Sequence, residues 1–168
     1  MTTAIYPGTF DPVHYGHIDI ATRAANIFDQ LVVAIYDHGD PLKNTLFSTE
    51  ERVAMMEEAL QHLPNVVVES YQGLTVEYAR AKGAQAIVRG LRVTYDFEFE
   101  YQRALTNKKL APEIETISLM TSLESAFLSS SMVKEIASVG GCVQGMVPSH
   151  VQAALQERLR RRDAGPAI

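Results

Sequence analysis

This sequence lacks several features that mark particular classes of protein. It contains one cysteine, Cys142, which excludes a disulfide within the chain and any metal site built from several cysteines. No apolar run approaches the roughly 20 residues that span a bilayer. The N-terminus has no basic segment followed by an apolar one, as a signal peptide would have. We therefore expect a cytoplasmic protein with no membrane partner.

Basic residues are also scarce relative to acidic ones. Lysine and arginine together number 15 and aspartate and glutamate 20, which gives a net charge of −5. This balance argues against non-specific binding of DNA or RNA, so we expect no nucleic-acid partner. The length of 168 residues suits one domain with a single core. We expect that domain to span residues 1–168, with 164–168 as a flexible tail.

Strand-like and helix-like segments alternate along the chain, which predicts a parallel sheet with helices on both faces. In the helix predicted over 94–109, we expect Phe97, Tyr101, Ala104 and Leu105 to face inward. We expect an α/β fold with a Rossmann-like, doubly wound sheet of five parallel strands. The strands are predicted at 4–6, 31–36, 66–68, 86–88 and 115–120. The helices are predicted at 18–28, 49–63, 74–82, 94–109 and 129–139, and from 148 onwards.

The stretch around which the chain is organised, Tyr6 to His17, joins the first strand to the first helix. In an open α/β sheet, ligands bind at the carboxyl ends of strands, where such turns lie. Gly8 and Gly16 remove side chains where a ligand must approach the backbone closely. A histidine near a helix start lies among free N–H groups and is suited to phosphate oxygens. The alternative for His17 is an ordinary polar surface residue.

An ordered set of motifs carries a family resemblance. The stretch YPGTFDPVHYGH resembles the T/HxGH signature of the nucleotidyltransferase superfamily. Together with the later VRGLR, DFEFE and LSSS, it makes the chain from about Ala4 to about Leu155 resemble the phosphopantetheine adenylyltransferases. The resemblance implies transfer of the adenylyl group of ATP to 4′-phosphopantetheine, giving dephospho-coenzyme A and pyrophosphate. It also implies Mg²⁺ with ATP, a homohexamer, and coenzyme A as a feedback ligand.

The implied reaction requires alignment and charge neutralisation more than a protein base, because a phosphate nucleophile is already ionised near neutral pH. We therefore expect direct in-line attack with no covalent intermediate. By resemblance, His17 donates to the α-phosphate, Thr9 holds the nucleophilic phosphate, and Lys43 and Arg92 complete the catalytic set. The alternatives are a turn hydroxyl for Thr9, a solvated loop lysine for Lys43 and a surface ion pair for Arg92.

The resemblance also predicts the nucleotide site. His14 departs from the family, in which threonine is common at this position, and we expect it to contact the β- or γ-phosphate. Many relatives have tryptophan at the position of Ser125, so we assume no adenine contact of that kind. The serines at 129–131 could instead be ordinary helix caps. The expected ATP-binding residues are Thr9, Phe10, His14, His17, Gly90, Leu91, Arg92, Glu100, Ser125, Ala126, Phe127, Leu128, Ser129, Ser130 and Ser131.

For the acceptor, the resemblance indicates Thr9, Lys43, Thr75, Arg89 and Asn107. We expect Arg89 to hold the acceptor phosphate by forked hydrogen bonds. The alternative for Arg89 and Arg92 is ion pairing with Asp96, Glu98 or Glu100. Thr75 is expected to line the pantetheine arm through its backbone. We assign no protein metal ligand, although Asp11 is conceivable.

Two rival functions remain open at this stage. One is transfer to another phosphorylated acceptor, such as nicotinamide mononucleotide, or a cytidylyl reaction. The other is a module that binds ATP without turnover.

Overall fold

The structure, a computed structural model, describes residues 1–39, 45–92 and 94–163. Lys43 and the tail predicted over 164–168 lie outside the described residues. None of the helices within the described residues combines the length and the apolar composition that a membrane span requires.

Five parallel strands form a single sheet in the order β3-β2-β1-β4-β5, which confirms the predicted fold. Chain order reverses between β1 and β4, and ligands bind at such a switch point in open α/β sheets. Only Ala4 and Ile5 of β1 pair with β4, so the two strands separate towards their carboxyl ends and leave a crevice. The strands are β1 (Thr3–Gly8), β2 (Gln30–Tyr36), β3 (Val66–Tyr71), β4 (Ala86–Leu91) and β5 (Glu115–Met120).

The helices cover both faces of the sheet. In β1, Ala4 and Tyr6 pack into one apolar cluster with α1, α2, α5 and α6, whereas Ile5 packs into a second cluster with α3. This division follows from the alternation of side chains along a strand. The helices are α1 (Tyr15–Ala25), α2 (Thr49–Leu60), α3 (Thr75–Ala81), α4 (Thr94–Leu110), α5 (Ser130–Ser138) and α6 (Ser149–Asp163), with a 3₁₀ turn at Leu123–Ser125.

Helix α1 begins earlier than the residue 18 that the sequence predicts, because two histidines cap it. His14 is the N-cap, and its Nδ1 accepts the N–H of Gly16 at 3.1 Å. The Nδ1 of His17 accepts the N–H of His14 at 3.3 Å. This reciprocal arrangement satisfies two N–H groups that a helix start leaves free.

The prediction for the inward face of α4 is wrong. Phe97, Tyr101 and Leu105 are 55 %, 55 % and 54 % exposed, and Ala104 is partly exposed. The helix lies against β4 and β5 at the edge of the sheet, and the polar Asn107 is its buried residue among the described side chains. Helical periodicity reveals that an apolar face exists, but it does not tell which surface covers that face.

Candidate active site

The carboxyl ends of β1 and β4 open onto a cleft of about 310 Å³, here called the main cleft. His17 and Arg92 are 75 residues apart in the sequence, yet both line the main cleft. The structure therefore brings these two predicted residues together in one hollow. The predicted residues that line the main cleft are Thr9, Phe10, His14, His17, Arg89, Gly90, Arg92, Glu100, Ser129, Ser130 and Ser131.

A second hollow of about 420 Å³, here called the side hollow, adjoins the main cleft. Its walls include Thr75 and Asn107, which were predicted to contact the acceptor. Pro7, Thr9 and Arg89 line both cavities, so these three residues mark the boundary between them. A ligand in each cavity would meet its neighbour at this boundary.

His17 is held as a neutral hydrogen-bond donor. Burial, together with the neighbouring His14, Arg92 and Arg89, lowers the pKa of His17 well below 6.5. Because its Nδ1 accepts the N–H of His14, the neutral ring carries its proton on Nε2. The ring stacks on His14 with centroids 3.6 Å apart and meets the ring of Phe10 edge-on at 4.8 Å. His17 is thus fixed with one N–H to offer to a ligand.

Phe10 supports His17 at a strained position. Its φ of 49° lies in the left-handed region, which is uncommon for a residue other than glycine. Its ring fits against Gly8, where a Cβ atom would lie 2.7 Å from the Phe10 Cζ. Gly8 is therefore needed for close approach of the Phe10 ring, in addition to any ligand contact.

His14 has an unsatisfied polar atom beside the cleft. The residue is 2 % exposed, and its Nε2 is buried with no partner among the described residues. Burial, and to a lesser degree Arg92, lowers the pKa of His14 to about 4. With Nδ1 accepting from Gly16, the proton of the neutral ring lies on Nε2. A buried donor without a partner is unfavourable, and an anionic oxygen in the cleft would satisfy it.

These two histidines predict a stability that depends on pH. Between about pH 4 and pH 6.5, His14 stays neutral in the folded protein but binds a proton in the unfolded chain, and the lowered pKa of His17 acts in the same direction. The unfolded state then holds more protons, so the free energy of unfolding decreases as the pH falls through this window. Each such histidine contributes a slope of about 1.4 kcal/mol per pH unit. Urea unfolding at pH 7.5, 6 and 5 measures it.

His14→Thr is the matched variant for this prediction, because threonine also caps helices and does not titrate in this range. We expect its free energy of unfolding to change less steeply with pH, by about 1.4 kcal/mol per pH unit, which corresponds to one proton. Equal slopes in the variant and the unmodified protein would contradict the account of His14.

Arg89 lies at the boundary of the two cavities and is held by two partners. Its Nε and Nη2 donate to the two carboxylate oxygens of Glu100, both at 2.8 Å, and its Nη1 donates to the carbonyl of Pro7 at 2.7 Å. Burial opposes the charge, but the paired carboxylate of Glu100 outweighs it and raises the pKa of Arg89. Arg89 therefore stays cationic at the carboxyl end of β4.

Arg92 is held in the same way. Its Nε and Nη2 donate to the carboxylate of Asp96 at 3.0 and 3.3 Å, and its Nη1 donates to the carbonyl of Leu128 at 2.9 Å. The ion pairs that the sequence offered as an alternative are thus present for both arginines, although both also line the main cleft.

Comparison with known proteins decides the family. The family described as Cytidylyltransferase-like matches residues 5–136. The phosphopantetheine adenylyltransferase of Desulforudis audaxviator is 53 % identical over 98 % of this chain and 100 % of its own. Those of Carboxydothermus hydrogenoformans and Synechococcus elongatus are 52 % and 54 % identical, over 96 % and 92 % of this chain and 98 % and 92 % of their own. This chain belongs to the phosphopantetheine adenylyltransferase family.

The resemblance seen in the motifs is thereby confirmed, and the chain is a nucleotidyltransferase. Among solved structures, a lipopolysaccharide core biosynthesis protein from Thermoplasma volcanium is similar, with a TM-score of 0.55 and 20 % identity. The match covers 73 % of this chain and 98 % of that one, and it supports the fold alone.

The loop before α5, expected to bind nucleotide in this family, only partly reaches the main cleft. Ser125 is buried beside Gly16, Phe127 is 56 % exposed, and Ala126 and Leu128 do not line the cleft. Leu91 is likewise absent from the lining and pairs with Met120 of β5. Of the nucleotide-binding residues predicted at 90–91 and 125–131, only Gly90 and the serines at 129–131 therefore line the main cleft.

The serines combine capping with a position on the cleft. The hydroxyl of Ser129 accepts the N–H of Met132 at 3.1 Å, as an N-cap does. The hydroxyl of Ser130 donates to the carbonyl of Pro12 at 2.8 Å. This bond ties α5 to the loop between β1 and α1, residues 9–14, here called the signature loop. Both hydroxyls are therefore engaged with the protein, and residues 129–131 at the start of α5 also line the cleft.

The predicted residues of the side hollow are also engaged with the protein. Thr75 Oγ1 lies 2.9 Å from the hydroxyl of Tyr71, which fits the expectation that Thr75 contributes backbone rather than side chain. Asn107 is 9 % exposed, and its Nδ2 donates to Thr116 Oγ1 at 3.4 Å.

Sequence reasoning missed the buried Arg52, which positions the signature loop. This arginine is 2 % exposed, and its Nη1 donates to the carbonyls of Thr9 and Tyr36 at 2.7 and 3.0 Å. Its Nε donates to the carbonyl of Phe47 at 3.3 Å. A signal was available, because Arg52 lies four residues before Met56 and so on the inward face of α2.

Asp11, the conceivable metal ligand, is committed to protein donors. Its carboxylate accepts the N–H groups of Leu46 and Phe47 at 2.8 and 3.0 Å and the ammonium of Lys134 at 2.8 Å. In the structure, Asp11 anchors the chain that enters α2 instead of facing the cleft.

Proposed function

We propose that this chain transfers the adenylyl group of ATP to 4′-phosphopantetheine, giving dephospho-coenzyme A and pyrophosphate, in coenzyme A biosynthesis. The observation that carries the proposal is the junction of the main cleft and the side hollow at Thr9 and Arg89. ATP in the main cleft and the acceptor in the side hollow would meet there. The names of the relatives support this choice of acceptor.

The reaction proceeds by direct in-line attack of the acceptor phosphate on the α-phosphorus, with no covalent intermediate. The attacking group is largely ionised near neutral pH, because the second pKa of a phosphomonoester is about 6. The protein therefore supplies position and charge rather than a base. Arg89 and the hydroxyl of Thr9 hold the acceptor phosphate, and Lys43 joins them by resemblance.

The nucleotide's phosphates are stabilised by donors from three parts of the chain, the start of α1, the end of β4 and the start of α5. The Nε2–H of His17 donates to the α-phosphate oxygens, where negative charge increases in the transition state. The Nε2–H of His14 and the guanidinium of Arg92 bind the β- and γ-phosphates, which leave as pyrophosphate. The N–H groups at the start of α5, residues 129–131, face the same phosphates.

Mg²⁺ is proposed to enter as part of the substrate, bound to ATP. Among the described residues, no three side chains of His, Cys, Asp or Glu gather in a way that could hold a metal ion. The carboxylate of Asp11 is taken by Lys134 and two backbone N–H groups.

We further propose a cytoplasmic homo-oligomer, of hexameric size by resemblance. Phe97, Phe99, Tyr101 and Leu105 on α4 and Met120 on the edge strand β5 are all more than half exposed in the single chain. A second copy covering these side chains would remove apolar surface from water.

Coenzyme A is proposed to bind at the acceptor site as a feedback ligand, because it carries the same pantetheine arm.

The test of the proposed function is a panel of substrates. Purified protein is incubated with Mg²⁺ and ATP plus 4′-phosphopantetheine, nicotinamide mononucleotide or no acceptor, and with CTP in place of ATP. We expect pyrophosphate only from ATP with 4′-phosphopantetheine. Release with nicotinamide mononucleotide or with CTP would favour a rival transfer. Tight ATP binding without pyrophosphate under any condition would identify a binding module.

A further inference from the structure

Arg52 is buried behind the site and bonds to neutral oxygens. The residue is 2 % exposed, and it lines neither the main cleft nor the side hollow. Within residues 1–39, 45–92 and 94–163, its guanidinium donates to three backbone carbonyls and to the hydroxyl of Thr49, and to no carboxylate. A buried cation is costly, and its usual partner is an opposite charge. The bonds of Arg52 to the backbone therefore indicate that it holds segments of chain in place.

Two of these carbonyls lie where β1 leaves the sheet. The pairing of β1 with β2 ends at Gly8 and Ile35. The next residues along the two strands are Thr9 and Tyr36, and Nη1 of Arg52 donates to both of their carbonyls, at 2.7 and 3.0 Å. One nitrogen thus links the two strands beyond their last paired residues. Thr9 lines both cavities and Tyr36 lines the side hollow, so Arg52 supports the walls of the site from behind.

The strained residue Phe10, with its φ of 49°, is anchored on both sides by this arrangement. On one side, Arg52 holds the carbonyl of Thr9. On the other side, the carboxylate of Asp11 accepts the N–H of Phe47, whose carbonyl accepts from Nε of Arg52 at 3.3 Å. A strained backbone persists only where its surroundings fix it. The hydrogen bonds that run through Arg52 and Phe47 supply that restraint.

We propose that Arg52 is a positioning residue for the transfer reaction. By holding the carbonyl of Thr9, it fixes the Thr9 hydroxyl for the acceptor phosphate and the ring of Phe10 against that of His17. Loss of this support displaces groups that must be aligned in the transition state, and a misplacement of about 1 Å can cost about 10²-fold in rate. The proposal rests on the function proposed above.

The variants Arg52→Lys and Arg52→Met test the proposal by the split between kcat and KM. Lysine keeps the charge with fewer donors, whereas methionine has no donor. We expect kcat to fall at least about fivefold in Arg52→Lys and at least about tenfold in Arg52→Met. KM for ATP and for 4′-phosphopantetheine should stay within about threefold, because Arg52 lines neither cavity. Rates are measured below the thermal unfolding transition of each variant, and Arg52→Lys decides if Arg52→Met does not fold.

Arg158→Lys is the matched control, because Arg158 supports the same segment of chain from the opposite side of Phe47. Within the described residues it donates to the carbonyl of Leu46 and to Glu51, it lies over the Phe47 ring, and it has no bond to the signature loop. We expect Arg158→Lys to lower the thermal stability and to keep kcat within about twofold. An equal fall of kcat in Arg52→Lys and Arg158→Lys would show general loosening of this segment and would reject the positioning role.

A second readout does not need turnover. The NMR shift of the Cε1 proton of His17, assigned with His17→Ala, reports how its ring lies against Phe10 and His14. We expect this shift to change in Arg52→Lys and to stay unchanged in Arg158→Lys. If the unmodified protein makes no product from ATP and 4′-phosphopantetheine, the proposed function fails, whereas the shift still decides whether Arg52 positions the site.

Two further results would overturn the proposal. An unchanged kcat in folded Arg52→Lys would leave Arg52 with a role in stability alone. A rise of at least about tenfold in either KM at constant kcat would mean that Arg52 acts on ligand binding instead of alignment.

Discussion

His17→Ala is expected to lower kcat by about 10²- to 10³-fold while changing the dissociation constant of ATP by no more than a few-fold. The Nε2–H of His17 donates to oxygens whose negative charge increases only as the transition state forms, so its loss affects the rate more than the binding. Steady-state kinetics with both substrates saturating gives kcat, and calorimetry gives the ATP dissociation constant.

His62→Ala is the matched control for His17→Ala. His62 is exposed in the turn after α2, so this substitution removes the same ring outside the cleft. Urea unfolding of both variants is needed, since loss of the His17 ring also removes a packing partner of Phe10. An unchanged kcat in a folded His17→Ala protein would exclude the proposed role.

Arg89→Lys is expected to lower kcat/KM for 4′-phosphopantetheine by about 10²-fold, with the ATP dissociation constant unchanged. Lysine keeps the charge but has a single ammonium, which cannot bind the Glu100 carboxylate in a fork, the Pro7 carbonyl and a phosphate together. The side chain of Glu100, 12 % exposed, would lose its principal partner. Kinetics with the acceptor varied at saturating ATP measures the effect.

Arg80→Lys makes the same chemical change at an exposed arginine of α3, which pairs with Glu77 and Glu113 outside both cavities. We expect this control to keep full activity. If Arg89→Lys weakened ATP binding as much as it reduced acceptor use, Arg89 would not be specific to the acceptor.

The sheet could be predicted from the sequence because buried parallel strands have a direct signature. Leu31 to Ile35 of β2 are all buried, and a strand covered on both faces needs apolar side chains at every position. The helix ends were less accurate. The start of α1 depends on hydrogen bonds of His14 and His17, and histidine is not a common helix cap.

The motifs identified the residues of the main cleft, but they could not give the partners of those residues. Arg89 and Arg92 stand beside Asp96 and Glu100 in sequence, which left open whether they pair or bind phosphate. In the structure, a forked ion pair and one bond to a backbone carbonyl together use three of the five N–H groups of each guanidinium, so two remain without a partner among the described residues. Such a division depends on atomic geometry, and sequence spacing does not contain it.

Arg52 and α4 show a further limit, which is the environment of a helix face. The periodicity of α2 places Arg52 inward, but only the folded chain brings the carbonyls of Thr9 and Tyr36 to its guanidinium. On α4 the periodicity predicts that Phe97 and Tyr101 face inward, but in the folded chain no described part covers this apolar face.

The stereochemical course at the α-phosphorus tests the central claim most directly. One diastereomer of adenosine 5′-O-(1-thiotriphosphate) is used with 4′-phosphopantetheine, and the configuration of the thiophosphoryl centre in the product is determined. Direct in-line transfer between ligands in the two adjoining cavities predicts inversion, since the attacking oxygen enters opposite the departing pyrophosphate. Retention of configuration would require two successive displacements through an adenylylated protein and would contradict the account.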